Sequence, residues 1–291
     1  MKQLAHFDLN NNEAYQNWRN KKLAFYEKPS SLHPVEINDF TDLSRVERCK
    51  LKQQISNRNF ALYKVKNFPD DQAIIPEIIA TQLGLLKSDK HLCGDETGLS
   101  QIQVTENRGV GEYIPYTNHA INWHTDGYYN ANDKKIHSMI LHCQRDAMSG
   151  GDNAFIDHEL MYILLRDENP DLIEALSHEN TMIIPENRQG DLLIRGEQSG
   201  PVFSLSPWGL HMRYTARTKS IIWRDDELTR RAVQRIREYY NEDSVYKLEH
   251  RLQPGEGLVS NNVLHMRTKF EDSESGRLIY RMRFYQPVLR A

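Results

Sequence analysis

From about Leu99 onward the chain is a succession of short apolar runs, each punctuated by Gly, Pro, Asn or Asp, and this pattern constrains the fold more than any other feature. The runs LSQIQVT, HSMILHC, NAFIDH, TMIIP, PVFSLS, HMRYTA, GLVSN and RLIYRMRFYQP suit strands and are short for helices. Many short strands with regular turn punctuation predict a sandwich or jelly roll.

Helical patterns surround and interrupt this series. Glu13 to Glu27 carries Tyr15, Trp18, Leu23 and Tyr26 at roughly helical spacing, and the segment from Pro29 to Pro34 breaks it. Asn59 to Val65 reads as a strand, and Gln72 to Leu86 as an apolar-rich helix that Gly84 ends. Glu159 to Arg166 and Asp171 to Ser177 suit one helical insertion. Asp225 to Asn241 suits another, with a stripe of Leu228, Ala232, Val233, Ile236 and Tyr240 and acidic residues at its start, where the helix dipole favours them. The expected architecture is therefore mainly β with flanking helices, in one domain over residues 1–291. Residues 1–54 form a helical N-terminal extension and 55–291 the β core, with helical insertions near 159–177 and 225–241.

Lys and Arg number 37 against 40 Asp and Glu, a formal net charge of −3, and no basic block marks a nucleic-acid face. The expected partner is a small molecule, alone or with further copies of the chain in a homo-oligomer. Cys49, Cys93 and Cys143 are odd in number and form no C-x-x-C pair, which disfavours a disulfide framework or zinc knuckle and fits a reducing cytoplasm. The first twenty residues contain no apolar signal-like core, and no run of about 18 apolar residues occurs, so neither export nor membrane insertion is expected.

The chemistry starts with NWHTDGYYN, where His124 and Asp126 stand two apart. On a strand or its extended end both side chains leave the same face and can chelate one metal ion, although a lone H-x-D is a weak signal that more often marks a polar strand end or turn. Some 140 residues on, QPGEGLVSNNVLHMRTKF brings a turn, a short strand and His265. Two histidines and a carboxylate make the facial set that leaves positions open on ferrous iron for a bidentate oxo-acid and oxygen, yet a zinc hydrolase also accepts such ligands. Spacing does not separate these. In GRLIYRMRFYQP, read as a strand, Arg277, Ile279, Arg281 and Arg283 share one face and Leu278, Tyr280, Met282 and Phe284 the other. An inward arginine face suits a forked grip on a carboxylate.

His124-Thr-Asp126, Gly150-Gly151-Asp152-Asn153, Asn262-Val-Leu-His265-Met-Arg267-Thr268-Lys-Phe270 and Gly276-Arg277-Leu278, in that order, resemble the signatures of the taurine dioxygenase and clavaminate synthase-like superfamily. The resemblance spans roughly residues 55 to 288. It implies a double-stranded β-helix, or jelly roll, that binds Fe(II) and uses 2-oxoglutarate and O2 to oxidise an unactivated C–H bond of a small anionic or zwitterionic molecule, releasing succinate and CO2. It makes His124, Asp126 and His265 the iron ligands, Arg277 the partner of the distal carboxylate of 2-oxoglutarate, and Arg281 a contact to the anionic head of the substrate. The two arginines can also be read with these roles exchanged. Asn153 stands where taurine dioxygenase has a cosubstrate-binding threonine, and its amide can still donate. The competing reading is a non-redox metal-dependent hydrolase or isomerase on a cupin-like barrel, which gives Arg277 and Arg281 no role.

Trp123 and Tyr128 flank the metal motif and are candidates to wall a substrate pocket. Arg213, in HMRYTARTK, is a candidate for an anionic substrate group. His142, alternating with apolar neighbours, reads as a packed histidine.

Overall fold

A computed structural model describes residues 2–26, 33–90, 94–105, 113–219 and 221–289. The chain folds as two compact units. One comprises Met1–Ser30, Gly127–Lys135 and Ile156–Lys247, and the other Ser31–Asp126, Ile136–Phe155 and Leu248–Ala291. Residues 1–54, read above as one extension, are thus divided between the two.

The second unit is built on a six-stranded sheet. Its strands run in the order Val35–Ile37, Phe60–Val65, Glu256–Ser260, Ser138–Arg145, Leu278–Phe284, Ser100–Ile102. Alternation along these strands sorts their side chains into two cores. Ala61, Tyr63, Val65, Ile140, Val259, Leu278, Tyr280, Met282 and Phe284 pack with Leu51 and Ile55 of α2 (Arg45–Arg58) and Ile75, Ile79 and Ala80 of α3 (Ile75–Gln82). Phe60, Leu62, Met139, Leu141, Cys143, Leu258 and Ile279 point the other way and pack with Phe155, Val263 and Leu248. These last belong to, or lead into, a four-stranded sheet ordered Leu248–His250, Asn153–Ile156, Leu264–Arg267, Ile121–His124. The apolar side of RLIYRMRF therefore faces helices, and its Arg277 and Ile279 side faces the second sheet, as the alternation predicts.

Helix α2 and an edge strand are among the elements that the sequence reading did not give. Helix α2 has few apolar residues but carries a capping box: the Glu47 N–H donates to Ser44 Oγ (3.2 Å), and the Ser44 N–H to Glu47 Oε2 (2.7 Å). Val35–Ile37 adds a parallel edge strand beside Phe60–Val65.

The first unit holds α1 (Asn12–Tyr26), α4 (His158–Glu168), α5 (Pro170–Ser177) and α6 (Glu227–Asn241), with short hairpins between residues 182 and 223. Four residues of the stripe expected on α6, Ala232, Val233, Ile236 and Tyr240, are buried, whereas Leu228 is exposed and its neighbour Thr229 is buried in its stead. Lys22 of α1 is buried, its Nζ 2.5 Å from Asp157 and 2.7 Å from Glu159. Among the described residues no helix is long and apolar enough to cross a membrane.

Candidate metal centre

Ile121–His124 and Leu264–His265-Met-Arg267 are antiparallel neighbours, and their register places His124 directly opposite His265. Their ring centroids are 4.3 Å apart. Asp126 follows two residues after the strand ends, and ligand atoms of His124, Asp126 and His265 all lie within 4.8 Å of one another. Three donors at that spacing could hold one metal ion.

Each histidine is oriented by the carbonyl two residues before it. His124 Nδ1–H donates to Asn122 O and His265 Nδ1–H to Val263 O, both at 2.9 Å. Because a carbonyl can only accept, Nδ1 carries the proton in both rings and Nε2 carries the lone pair, which is the tautomer a metal requires. Burial pushes His265 down to about 3, with the neighbouring His124 adding to the effect, so the ring stays neutral. Burial by itself would raise the Asp126 carboxyl. The charge of Arg281, with a smaller contribution from Arg283, outweighs it and holds the group well below the usual carboxylate range. Asp126 Oδ2 is buried and, among the described residues, accepts no hydrogen bond. An ionised carboxylate oxygen with no donor, beside two imidazole lone pairs, fits a cation.

The same cavity is lined by His124, His265, Asn153, Arg267, Arg277 and Arg281 together with Ile102, Met139, Leu141 and Ile279. Arg277 is 5 % exposed, and among the described residues no carboxylate lies within ion-pair distance of its guanidinium, which stacks over Phe270 at 5.2 Å. Burial pushes its pKa down. Arg281 by contrast already has a partner, its Nη1 3.4 Å from Asp126 Oδ1. Asn153 Nδ2 donates to His250 O at 3.3 Å. Gly150 in the Gly-Gly-Asp-Asn stretch is needed sterically, because a Cβ there, at φ +70°, would sit 2.3 Å from Lys269 O, whereas Gly151 is needed for its backbone conformation at φ +77°. Thr268 ties this stretch down, its Oγ1 accepting from the Asp152 N–H at 3.0 Å.

The remaining candidates part company with this cluster. Trp123 is buried and is not among the residues that line this cavity. Arg213 is 3 % exposed and donates to the carbonyls of Tyr128, Met182, Gly200 and Gln198 at 2.7 to 3.3 Å. Backbone dipoles already satisfy this guanidinium, so the structure uses it to join loops and not as the anion anchor read from the sequence. Tyr128 belongs to the first unit, its hydroxyl accepting from Arg217 Nη1 at 3.2 Å. His142 is fully buried between Tyr63 and Gln72 and is no part of the cluster. Sequence reasoning passed over Arg267, which donates to the carbonyls of Thr117 (2.9 Å) and His119 (2.6 Å) and so fixes the loop before the first ligand strand. It also gave no role to Asn262.

The profile of the taurine catabolism dioxygenase TauD, TfdA family matches residues 29–283. The chain belongs to this family. A curated relative, uridine-5′-phosphate dioxygenase from Amycolatopsis sp., is 30 % identical over 162 residues, 53 % of this chain. The match spans 57 % of that relative's length. Among solved structures, asparagine oxygenase in complex with Fe(II), 3-hydroxyasparagine and succinate superposes with a TM-score of 0.62 at 12 % identity, covering 91 % of this chain and 89 % of that one. The non-heme iron oxygenase OrfP in complex with Fe and α-ketoglutaric acid gives 0.60 at 12 % identity, covering 91 % and 90 %. A taurine dioxygenase-like protein from Burkholderia xenovorans gives 0.58 at 17 % identity, covering 88 % and 87 %. This TauD/TfdA member thus shares its fold with iron oxygenases.

Proposed function

We propose that this chain is an Fe(II)- and 2-oxoglutarate-dependent dioxygenase acting on an unactivated C–H bond of a small anionic or zwitterionic molecule. The observation that carries the reading is a pair of complementary deficits among the described residues: a buried Asp126 oxygen without a donor, beside the two histidines that line the cavity, and a buried Arg277 cation on the same lining without a carboxylate. A divalent metal answers the first and a dicarboxylate the second. A hydrolase would leave Arg277 idle.

In this reading His124 and His265 hold the metal through Nε2 and Asp126 through its carboxylate. The chemistry that ferrous iron supplies in such a site, with 2-oxoglutarate and O2, is oxidation of a C–H bond coupled to release of succinate and CO2. Arg277 pairs with the distal carboxylate of 2-oxoglutarate, and the forked guanidinium over Phe270 orients it. Asn153 donates to the same molecule as an auxiliary contact. Arg281 keeps Asp126 ionised and offers its remaining donors to an anionic group of the substrate. Ile102, Met139, Leu141 and Ile279 exclude water from the cavity wall. The two sheets of the second unit are the faces of a double-stranded β-helix. Hydroxylation is the expected outcome. Nucleoside phosphates, by the named activity of the curated relative, and amino acids, by the ligands of the solved neighbours, are the substrate classes to test first. The thiols of Cys49 and Cys143 stand free, in keeping with a cytoplasmic setting.

Anaerobic addition of Fe(II) and then 2-oxoglutarate should produce a weak visible charge-transfer band that His265→Ala abolishes, and a panel of nucleoside monophosphates and amino acids should reveal O2-dependent succinate release. Absence of the band, or its survival in His265→Ala, overturns the assignment.

A further inference from the structure

Asn262 occupies the turn between the strands Glu256–Ser260 and Leu264–Arg267, at φ +53°, a left-handed conformation that asparagine tolerates better than most residues. It is 2 % exposed, and nearly all its hydrogen-bonding capacity is spent on two backbone segments. Its Oδ1 accepts from the Asp126 N–H at 2.7 Å, while its Nδ2 donates to Asp126 O at 3.0 Å and to Ile136 O at 2.7 Å. The amide therefore grips both polar groups of one residue, much as an adjoining strand would. It does so just where Ile121–His124 has ended and Asp126 has no ladder partner to hold it. Three residues further on, in the strand that the turn leads into, stands His265.

We infer that Asn262 is a positioning residue whose side-chain amide fixes the separation of Asp126 from His265 and thereby sets the affinity for a divalent metal. The inference rests on the metal-site reading above. No other side chain of this length does the same work. Aspartate keeps the acceptor but turns a carboxylate toward two carbonyl oxygens, and glycine keeps the backbone conformation while losing all three bonds. The neighbouring Asn261 provides an internal comparison. Its amide bonds the backbone of Val288 in the same two-sided way, donating at 3.2 Å and accepting at 2.8 Å, and touches neither ligand.

The test uses full-length protein and Co(II), whose visible absorption reports binding without turnover. Asn262→Gly should raise the Co(II) Kd about 10- to 100-fold, the loss typical when a group that orients a ligand is removed. Asn261→Ala should lower Tm and leave the Kd unchanged. Folded Asn262→Gly with a wild-type Kd overturns the inference, as does an equal loss in Asn261→Ala. Should Asn262→Gly not fold, Asn262→Asp must show the weakened binding. Hydrogen exchange of the wild-type apoprotein supplies a check independent of any variant, because the Asp126 amide must exchange slowly, and rapid exchange overturns the clamp. Failure of the wild type itself to bind Co(II) sinks the metal-site reading instead.

Discussion

Arg281 Nη1 lies 3.4 Å from Asp126 Oδ1, so the carboxylate in the candidate metal site has a cation beside it before any metal arrives. Burial raises this carboxyl and Arg281 is the largest influence lowering it. In Arg281→Met the burial effect remains unopposed by that charge, and protons compete with metal at a higher pH. The pH at which bound Co(II) is released on acidification should rise by about one unit or more, read from the visible spectrum. An unmoved release curve would show that Arg281 does not govern the ionisation of Asp126.

Arg277 bears on the cosubstrate. Loss of a buried, charge-assisted pair costs on the order of 2 kcal/mol or more, equivalent to at least a decade in affinity. Arg277→Gln should therefore raise the 2-oxoglutarate concentration needed to develop the Fe(II) charge-transfer band at least tenfold, with Co(II) affinity preserved. If the requirement stays put and Arg281→Met raises it, the two arginines exchange roles.

Gly150 tests the loop that carries the Gly-Gly-Asp-Asn stretch. An alanine methyl would have to occupy space 2.3 Å from a backbone oxygen, and φ of +70° adds its own strain. Backbone must shift, so Gly150→Ala should cost about 2 kcal/mol or more in urea unfolding. Gly190→Ala, where nothing lies within 4 Å although φ is +59°, should cost about 1 kcal/mol from conformation alone. Equal losses at the two positions would remove the steric argument.

These residues also show what the sequence could convey. The face alternation of RLIYRMRF was legible because a strand has period two and the two sides differ in polarity, and His124, Asp126 and His265 were legible because metal chemistry restricts the residue types. Helix α2 was not, since its boundary is written in Ser44 and Glu47 and not in an apolar stripe. Arg213 misled for a physical reason: a basic residue on a strand looks the same whether it meets an anion or four carbonyls. The division into two units depends on the chain leaving and re-entering each of them, through Gly127–Lys135 and Ile156–Lys247, which local patterns do not encode. The clamp by Asn262 depends on a contact 136 residues away.

His142 sets an acid limit on the second unit. It is fully buried, its Nε2–H donates to Gln72 Oε1 at 2.7 Å, and its Nδ1 lies 3.1 Å from the Tyr63 hydroxyl, so the neutral ring is satisfied and burial opposes the charge that a second ring proton would bring. Burial pushes its pKa down to about 3, whereas the unfolded chain has the ordinary value near 6.5. Between those values the unfolded state binds a proton that the folded state refuses. Stability is accordingly full above about pH 6.5 and falls as the pH drops toward 3, by up to about 1.4 kcal/mol per pH unit from this residue. Urea unfolding of the metal-free protein across this range should show that slope, with His265 adding a similar contribution. His142→Gln should be less stable at pH 7.5 but should depend less on pH by about one proton. A variant with the wild-type slope would mean that His142 accepts its proton in the folded protein.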